Sequence, residues 1–367
     1  MNGQIQTRPL RLALVGIGHV HAASMVRDFL KFGEDVEFLG FADYPYRSPE
    51  EEEHLTMNGF RTENGTVWRY FENYQDLLGE KPDVCILCAD ICRHAELAEE
   101  VLSLGICAIL EKPMALTMAD AKRMYRAAKK SGADLIVNWP VAWFPSFRKA
   151  KALVEEGAVG RVLRVQYRSP STRGPYPLDK YTPEELAPLW WYQRDKGGGS
   201  LSDYAGYGCV LTTWLTGKTA KSVYGVKRNY FLPFSDVEDY SLFVINFGDE
   251  VGMIEGSWST VSNGEIPTGP VIYGEKGVIV ADRFAPEVKL YTDFVPYRPS
   301  PPPNAVYRPE ADGACLPANV IAHFKKGEPL HELITADFNM RAMAAFDAGR
   351  RSCEEGTPCA AEDPFDL

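Results

Sequence analysis

Arg11-Leu12-Ala13-Leu14-Val15-Gly16-Ile17-Gly18-His19-Val20-His21 is the stretch that decides the fold. Its first five residues form a short apolar run that reads as a buried strand. The two glycines predict a tight turn, and Ala22 to Phe32 reads as a helix. Strand, glycine turn and helix together bring a backbone close to a pyrophosphate. The helix N-terminus then offers free N–H groups and a positive dipole end. A second strand, Val36 to Ala42, ends in Asp43. A carboxylate there can accept hydrogen bonds from both ribose hydroxyls of NAD and repels a 2′-phosphate, which places NAD ahead of NADP. His21 stands where a third glycine is usual. The other reading of the stretch is a parallel βαβ unit whose glycines serve packing alone.

Working outward, residues 10 to 137 alternate strand and helix. Ser48-Pro49-Glu50-Glu51 has the pattern of a helix start, with Ser48 as N-cap and Glu51 closing a capping box. Tyr74 to Leu78, Ala95 to Leu104 and a segment opened by Thr117-Met118-Ala119-Asp120 and stopped at Gly132 are predicted helices. Val84 to Cys88, Ile106 to Leu110 and Leu135 to Val137 are predicted strands. Repeated βα units of this length predict a parallel, doubly wound sheet. After Asn138 the pattern changes. One helix, Ser146 to Glu156, precedes strands joined by turns: Val162 to Arg168, Ser222 to Tyr230, Tyr240 to Phe247, Val251 to Trp258, Val271 to Tyr273, Val278 to Ala281 and Val288 to Tyr291. Gly248-Asp249 and Gly274-Glu275-Lys276-Gly277 are hairpin turns. Phe294 to Pro309 reads as an extended loop, and Asp337 to Cys353 as an amphipathic helix. The expected fold is α/β, in two domains: residues 1–138 around the parallel sheet, and residues 139–367 around a large, open, mainly antiparallel sheet.

The chain has 367 residues, a net charge of −11 and no strongly basic segment, which argues against a nucleic-acid partner or an anionic membrane. No apolar run approaches the ~20 residues of a membrane-spanning helix, and Met1 to Leu10 lacks the apolar core of a signal peptide. The expected location is therefore cytoplasmic. Eight cysteines are scattered through the chain. Cys85 and Cys88 share one predicted strand, where residues three apart point to opposite faces, and no second pair completes a metal site. No metal is expected.

Two further motifs carry chemistry. Glu111-Lys112-Pro113 ends a predicted strand at the carboxyl edge of the parallel sheet, where open α/β sheets bind ligands. A lysine held there can orient a substrate hydroxyl and lower the pKa of a nearby acid, or can be a solvated surface lysine. Gly197-Gly198-Gly199-Ser200-Leu201-Ser202-Asp203-Tyr204-Ala205-Gly206-Tyr207 opens a predicted helix running through Leu215. Asp203 and Tyr207, four apart, face one side of it. A neighbouring lysine would bring the Tyr207 phenol, ordinarily near about 10, into a usable range. The alternative is a core tyrosine behind a glycine cap.

The chain resembles the Gfo/Idh/MocA family, the glucose-fructose oxidoreductase and inositol dehydrogenase relatives. The resemblance rests on Gly16-Ile17-Gly18, Asp43, Glu111-Lys112-Pro113, Gly197-Gly198-Gly199 with Asp203, Gly256-Ser257-Trp258 and Tyr273-Gly274-Glu275-Lys276-Gly277, in that order over nearly the whole chain. It implies an N-terminal Rossmann domain and a C-terminal α/β domain whose open sheet forms a homodimer or homotetramer. It implies hydride transfer between nicotinamide and a hydroxyl-bearing carbon of a sugar or polyol. The family's lysine maps onto Lys112 and its aspartate onto Asp203. Most members carry histidine at the place of Tyr207, whereas a tyrosine is found in the glucose-fructose oxidoreductase, dihydrodiol dehydrogenase and xylose dehydrogenase branch. The resemblance further implies a cofactor site of Gly16, Ile17, Gly18, His19, Val20, Asp43, Cys88, Ala89, Asp90, His94, Glu111, Lys112 and Asn138.

Aromatic residues crowd the expected substrate wall: Trp139, Trp143, Trp190, Trp191, Tyr192, Tyr176 and Tyr181. Such faces stack on sugar rings. Of these, Trp139, Trp143, Trp191 and Tyr192 are expected to bind substrate together with Lys112, Asp203 and Tyr207. The long segment Ser169 to Lys196 has room for a substrate larger than a free monosaccharide. The expected activity is an NAD-dependent sugar or glycoside dehydrogenase, with oxidation at C3 of a glucoside as the preferred case. Tyr207 takes the hydroxyl proton, Lys112 lowers its pKa and holds the oxygen, and Asp203 orients a neighbouring group. Two alternatives remain: an NAD-dependent glycosidase acting by transient oxidation and elimination, and a non-catalytic dinucleotide-binding regulator.

Overall fold

The computed structural model describes residues 7–44, 60–61, 65, 67–169, 174–176, 178–260, 266–293 and 301–367. The helix start at Ser48 lies outside them, as does the stretch 294–300. The first layer is built from β1 (Leu10–Val15), α1 (Ala22–Leu30), β2 (Val36–Ala42), α2 (Tyr74–Gly79), β3 (Val84–Leu87), α3 (His94–Ser103), β4 (Cys107–Glu111), α4 (Met118–Ser131) and β5 (Leu135–Asn138). The five strands pair in parallel in the order β2-β1-β3-β4-β5. The chain leaves β1 to one side and returns for β3 on the other. A switch point therefore opens beside the glycine turn, and there such sheets take their ligands. Every residue of β3 and β4 is buried, as expected for strands covered on both faces. The local signals act as the sequence implies. The Thr117 hydroxyl accepts the Asp120 N–H at the start of α4, and Gly132 closes that helix at φ 71°.

The second layer follows with α5 (Pro145–Glu155), β6 (Val162–Arg168), α6 (Pro183–Leu186), α7 (Gly206–Thr216), β7 (Ser222–Arg228), β8 (Tyr240–Asn246), β9 (Val251–Ser257), β10 (Val271–Gly274), β11 (Val278–Ala281), β12 (Val288–Tyr291), β13 (Ala305–Tyr307), α8 (Leu316–Lys326), α9 (Ala336–Glu355) and β14 (Cys359–Ala360). Nine strands form one sheet in the order β13-β12-β11-β10-β6-β9-β8-β7-β14. Every pair is antiparallel except β6 with β9. α7 and α9 cover one face, over buried Val165, Tyr167, Phe243, Ile245 and Ile254. The other face leaves Tyr224, Val244 and Val306 exposed.

Two expectations are corrected here, and one helix is new. The stretch read as a loop to Pro309 contains β13, which pairs with β12. Helix α8 was not anticipated, because its Pro317 and short apolar repeat give a weak periodic signal. The helix after the glycines is not uniform: Leu201–Ala205 is a π-helical turn, and the α-helix begins at Gly206. The C-terminal helices also return to the first sheet. Thr335 bridges Ile136, Arg350 Nε donates to Leu116 O at 3.1 Å, and Lys325 pairs with Asp35 at 2.5 Å.

Candidate functional site

The glycine turn sits at the carboxyl end of β1. Gly16 has φ 89°, and a Cβ there would stand 2.4 Å from Ala89 N, so only glycine lets the turn approach the loop after β3. The Asp43 carboxylate accepts the Ile17 N–H at 3.0 Å, which ties the end of β2 to that turn. The Cys88 thiol, pushed up by burial, lies 3.7 Å from Met25 Sδ. Asp90 begins the short 3-10 turn ahead of α3. His94 is bonded through Nδ1 to the Met114 carbonyl at 3.2 Å, just past Pro113.

Glu111 is buried at the end of β4. Its Oε2 accepts from Asn138 Nδ2 at 2.8 Å, and its Oε1 lies 3.0 Å from His21 Nδ1 and 3.8 Å from His19 Nε2. Burial opposes ionisation, but the His21 imidazole with its hydrogen bond and the Lys112 ammonium outweigh it and hold the carboxyl below the usual carboxylate range. The ligand atoms of His19, His21 and Glu111 lie within 4.8 Å of one another. The hydrogen bonding nevertheless argues against a metal there. The His21 backbone N–H donates to His19 Nδ1 at 3.1 Å, so that nitrogen keeps its lone pair. Burial drives the His19 ring neutral, and its proton then sits on Nε2. Ligation through Nε2, the nitrogen near Glu111, needs the opposite tautomer, and Nδ1 is already engaged by the His21 N–H. His19 Nε2–H is thus a buried donor without a partner beside the glycine turn, which fits a site built for an acceptor-rich ligand.

Lys112 and the distant pair Asp203 and Tyr207 meet where the second layer closes over this edge. Lys112 is 3% exposed. Its ammonium contacts Asp203 Oδ1 and donates to the Asp203 carbonyl at 3.0 Å. It also stands 5.1 Å from the Tyr207 ring centre and 5.8 Å from that of Tyr204. The Trp258 indole N–H donates to Asp203 Oδ2 at 2.9 Å. Burial pulls the Lys112 pKa down, but Asp203, Tyr207 and Glu111 more than offset it, and the group stays a cation. Burial lifts the Tyr207 phenol above its ordinary value, and Lys112 opposes that lift without overcoming it. Lys112 thus lowers the phenol's pKa as expected, but burial keeps it above its ordinary value.

The glycines between these groups are structural necessities. A Cβ at Gly198 would strike the Trp191 carbonyl at 2.2 Å. One at Gly199, with φ 102°, would strike Glu238 Oε1 at the same distance. Buried Glu238, unmarked in the sequence, accepts the Leu201 N–H at 2.9 Å and so anchors the helical turn that carries Asp203.

The aromatic residues divide into three groups. Trp139 packs edge-on to Tyr207 at 5.2 Å and donates to Asn339 at 2.6 Å. Trp190, Trp191, Tyr192 and Tyr176 form a second buried cluster with Trp258 and Ile91. In it Trp190 stacks on Trp191 at 4.0 Å and donates to the Gly18 carbonyl at 2.9 Å, while Trp191 meets the His19 ring at 4.8 Å. Tyr181 packs at its margin. Trp143 is not brought to either group. It lies against His331 at 5.3 Å, in a separate depression with His21 and Asn138. Tyr204, which stacks on Tyr207 at 6.0 Å, was passed over in the sequence although three-residue spacing places it on that face.

Two family models match the chain. Residues 10–139 match "Oxidoreductase family, NAD-binding Rossmann fold", and residues 147–280 match "GFO/IDH/MocA C-terminal domain". Among sequence relatives, a levoglucosan dehydrogenase of Pseudarthrobacter phenanthrenivorans is 30% identical over 52% of this chain and 44% of its own length. A myo-inositol 2-dehydrogenase of Thermotoga maritima is 24% identical over 77% and 78%. The matches span about half the length, or less, of the first three curated relatives: 44%, 57% and 35%. Among solved structures, the WlbA dehydrogenase of Bordetella pertussis in complex with NADH and UDP-GlcNAcA superposes with a TM-score of 0.73 at 22% identity, covering 97% of this chain and 100% of that one. The aldose-aldose oxidoreductase of Caulobacter crescentus complexed with glycerol gives 0.71 at 20%, covering 96% and 100%. At such identities these structures speak for the fold.

Proposed function

The chain belongs to the GFO/IDH/MocA oxidoreductase family, and on that premise we propose that it is an NAD-dependent dehydrogenase acting on a secondary hydroxyl of a sugar, glycoside or polyol. The observation that carries the reading is the buried Lys112–Asp203 pair with Tyr207 beside it, at the edge where the glycine turn ends. NAD supplies the hydride acceptor. The turn from Gly16 to Val20 and the start of α1 bind its pyrophosphate. Asp43 takes the ribose, and the His19 Nε2–H adds a donor.

The rest of the chemistry belongs to this chain. Lys112 donates to the substrate oxygen and holds it over the edge of the sheet. Tyr207 accepts the hydroxyl proton as the hydride leaves the same carbon, and it returns that proton in the reverse direction. Asp203 acts through Lys112, since both of its oxygens are engaged, one by Lys112 and one by Trp258. Within the class we place oxidation at C3 of a glucoside. The Trp191 and Tyr192 cluster supports this, as does the likeness to an enzyme named for levoglucosan, an internal glucoside.

The test is direct. Levoglucosan, methyl glucosides, glucose and myo-inositol are offered with NAD and with NADP, and reduced nicotinamide is read by absorbance. Reduction of NAD with one class of sugar, and a 3-keto product from a glucoside, are expected. Binding of NAD with no turnover of any of them would favour the regulator. Cleavage of a glycoside without net NADH would favour the redox glycosidase.

The second sheet supports a homodimer. Its uncovered face exposes Tyr224, Val244 and Val306 and bears a depression of about 520 Å³ lined by Gln166, Arg168, Tyr273, Val280 and Tyr291. Sedimentation velocity should give a dimer or a dimer of dimers, and Val244→Lys should shift it toward monomer. An unchanged assembly in that variant would place the interface elsewhere.

A further inference from the structure

We propose that Trp258 is a positioning residue for the Lys112–Asp203 pair: its indole N–H holds one carboxylate oxygen of Asp203 so that the other meets the lysine. The inference rests on the dehydrogenase reading of the site. It begins from the hydrogen-bond inventory of three buried side chains. Asp203 is 7% exposed, and its Oδ2 accepts from Trp258 Nε1 at 2.9 Å while its Oδ1 contacts Lys112. The lysine ammonium has three N–H bonds. One meets Asp203 Oδ1 and one meets the Asp203 carbonyl at 3.0 Å. The third is left on the side of the Tyr204 and Tyr207 rings, where a substrate oxygen would sit. The aim of that third bond is therefore set by the carboxylate plane, and the plane is set by Trp258.

Trp258 itself is well fixed. It follows the last residue of β9, is 5% exposed, and donates its backbone N–H to the Asp239 carbonyl at 2.7 Å. Its ring lies 5.9 Å from Tyr192 and 6.5 Å from Trp191, and a Cβ on Gly174 would come within 3.0 Å of it. An indole held this firmly is a directional donor. With both oxygens engaged, Asp203 is not the proton acceptor, and that role passes to Tyr207.

Trp258→Phe keeps the ring and removes the N–H, and Trp258→His restores a ring N–H. In Trp258→Phe, kcat on the sugar that the wild type oxidises is expected to fall about 10- to 100-fold, the loss of one hydrogen bond to a charged group. KM and NAD affinity are expected to stay within about threefold, since no contact with either ligand is removed. The climb of the oxidation rate with pH should keep its slope at a reduced height, because the titrating group is Tyr207, while Lys112 is held a cation by Asp203, Tyr207 and Glu111 together. The groups facing that ammonium are Asp203, Tyr204, Tyr207, Glu111, His19 and Tyr167. Among them only the hold on Asp203 is altered. Trp258→His should recover part of kcat. A kcat within threefold of wild type, a loss confined to KM, or a lost slope would overturn the proposal.

A second arm does not depend on turnover. In protein labelled with ¹⁵N-indole tryptophan, the signal missing from Trp258→Phe identifies the Trp258 N–H. That signal should move in Asp203→Asn and in Lys112→Met. If it moves in neither, the proposal fails. If no sugar is oxidised by the wild type, the dehydrogenase reading fails while this arm still decides the geometry.

Discussion

Replacing Lys112 with methionine is expected to lower kcat/KM about 10³-fold or more, since it removes both an electrostatic anchor and a proton-transfer aid. Methionine nearly matches the length of the lysine stem, so the change is one of charge more than of shape. Three effects follow from the geometry. The substrate oxygen loses its donor. The Tyr207 ring loses the larger of the two positive influences, Lys112 ahead of Arg283, that oppose the lift from burial. Asp203 is left as a buried carboxylate with no cation, at a cost of roughly 3–5 kcal/mol in stability. The last effect must be separated from the first two. In the double variant Lys112→Met with Asp203→Asn the stranded charge is gone, so the melting temperature should recover most of the loss seen in Lys112→Met while activity stays low. Lys112→Arg keeps the charge but presents a planar fork in place of a compact ammonium, and about a 10- to 100-fold loss is expected from the altered aim. Activity of Lys112→Met within a few-fold of wild type would remove Lys112 from the reaction.

What the sequence made legible is what local physics determines. The run Leu12 to Val15 and the turn at Gly16 announce the strand and its close approach because apolar continuity and a positive φ are local properties. Thr117 and Gly132 mark both ends of α4 for the same reason. Lys112 stands in one legible motif and Asp203 with Tyr207 in another, and the closure of the second layer brings the two together. What was not legible depends on registration between distant segments. Trp258 reaches Asp203 from 55 residues away, through the position of β9 against the helical turn Leu201–Ala205. Glu238 reaches Leu201 from 37 residues away. His21 bonds to Glu111 across 90 residues, and nothing in the order of the residues foretells it. The aromatic residues that cluster in sequence do not all cluster in space, because the 3-10 turn Pro140–Trp143 carries Trp143 away from Trp139. The raised pKa of the Tyr207 phenol is not legible in the sequence, because its burial is a property of the assembled site. A charged neighbour can be inferred from a motif, whereas the exclusion of water cannot.

Tyr207→Phe removes only the hydroxyl, and kcat is expected to fall about 10²- to 10⁴-fold, the span typical of a lost general acid or base. The ring contacts with Trp139 and Tyr204 remain, so folding and NAD affinity should be close to wild type. The raised pKa sets the sign of the pH dependence. Below that pKa the phenol carries its proton, the form needed to protonate a carbonyl oxygen during reduction. Reduction by NADH should therefore be nearly flat from about pH 6 to about pH 9, well under the ordinary phenol value. Oxidation needs the phenol to accept a proton, so its rate should climb with pH across the same range by up to about tenfold per unit. In Tyr207→Phe both the high rate and that slope should disappear. Lys112→Arg, which retains the tyrosine, should keep the slope at a reduced rate. A slope that survives in Tyr207→Phe would move the proton-accepting role to another group, and a kcat above about a third of wild type would remove Tyr207 from the chemistry altogether.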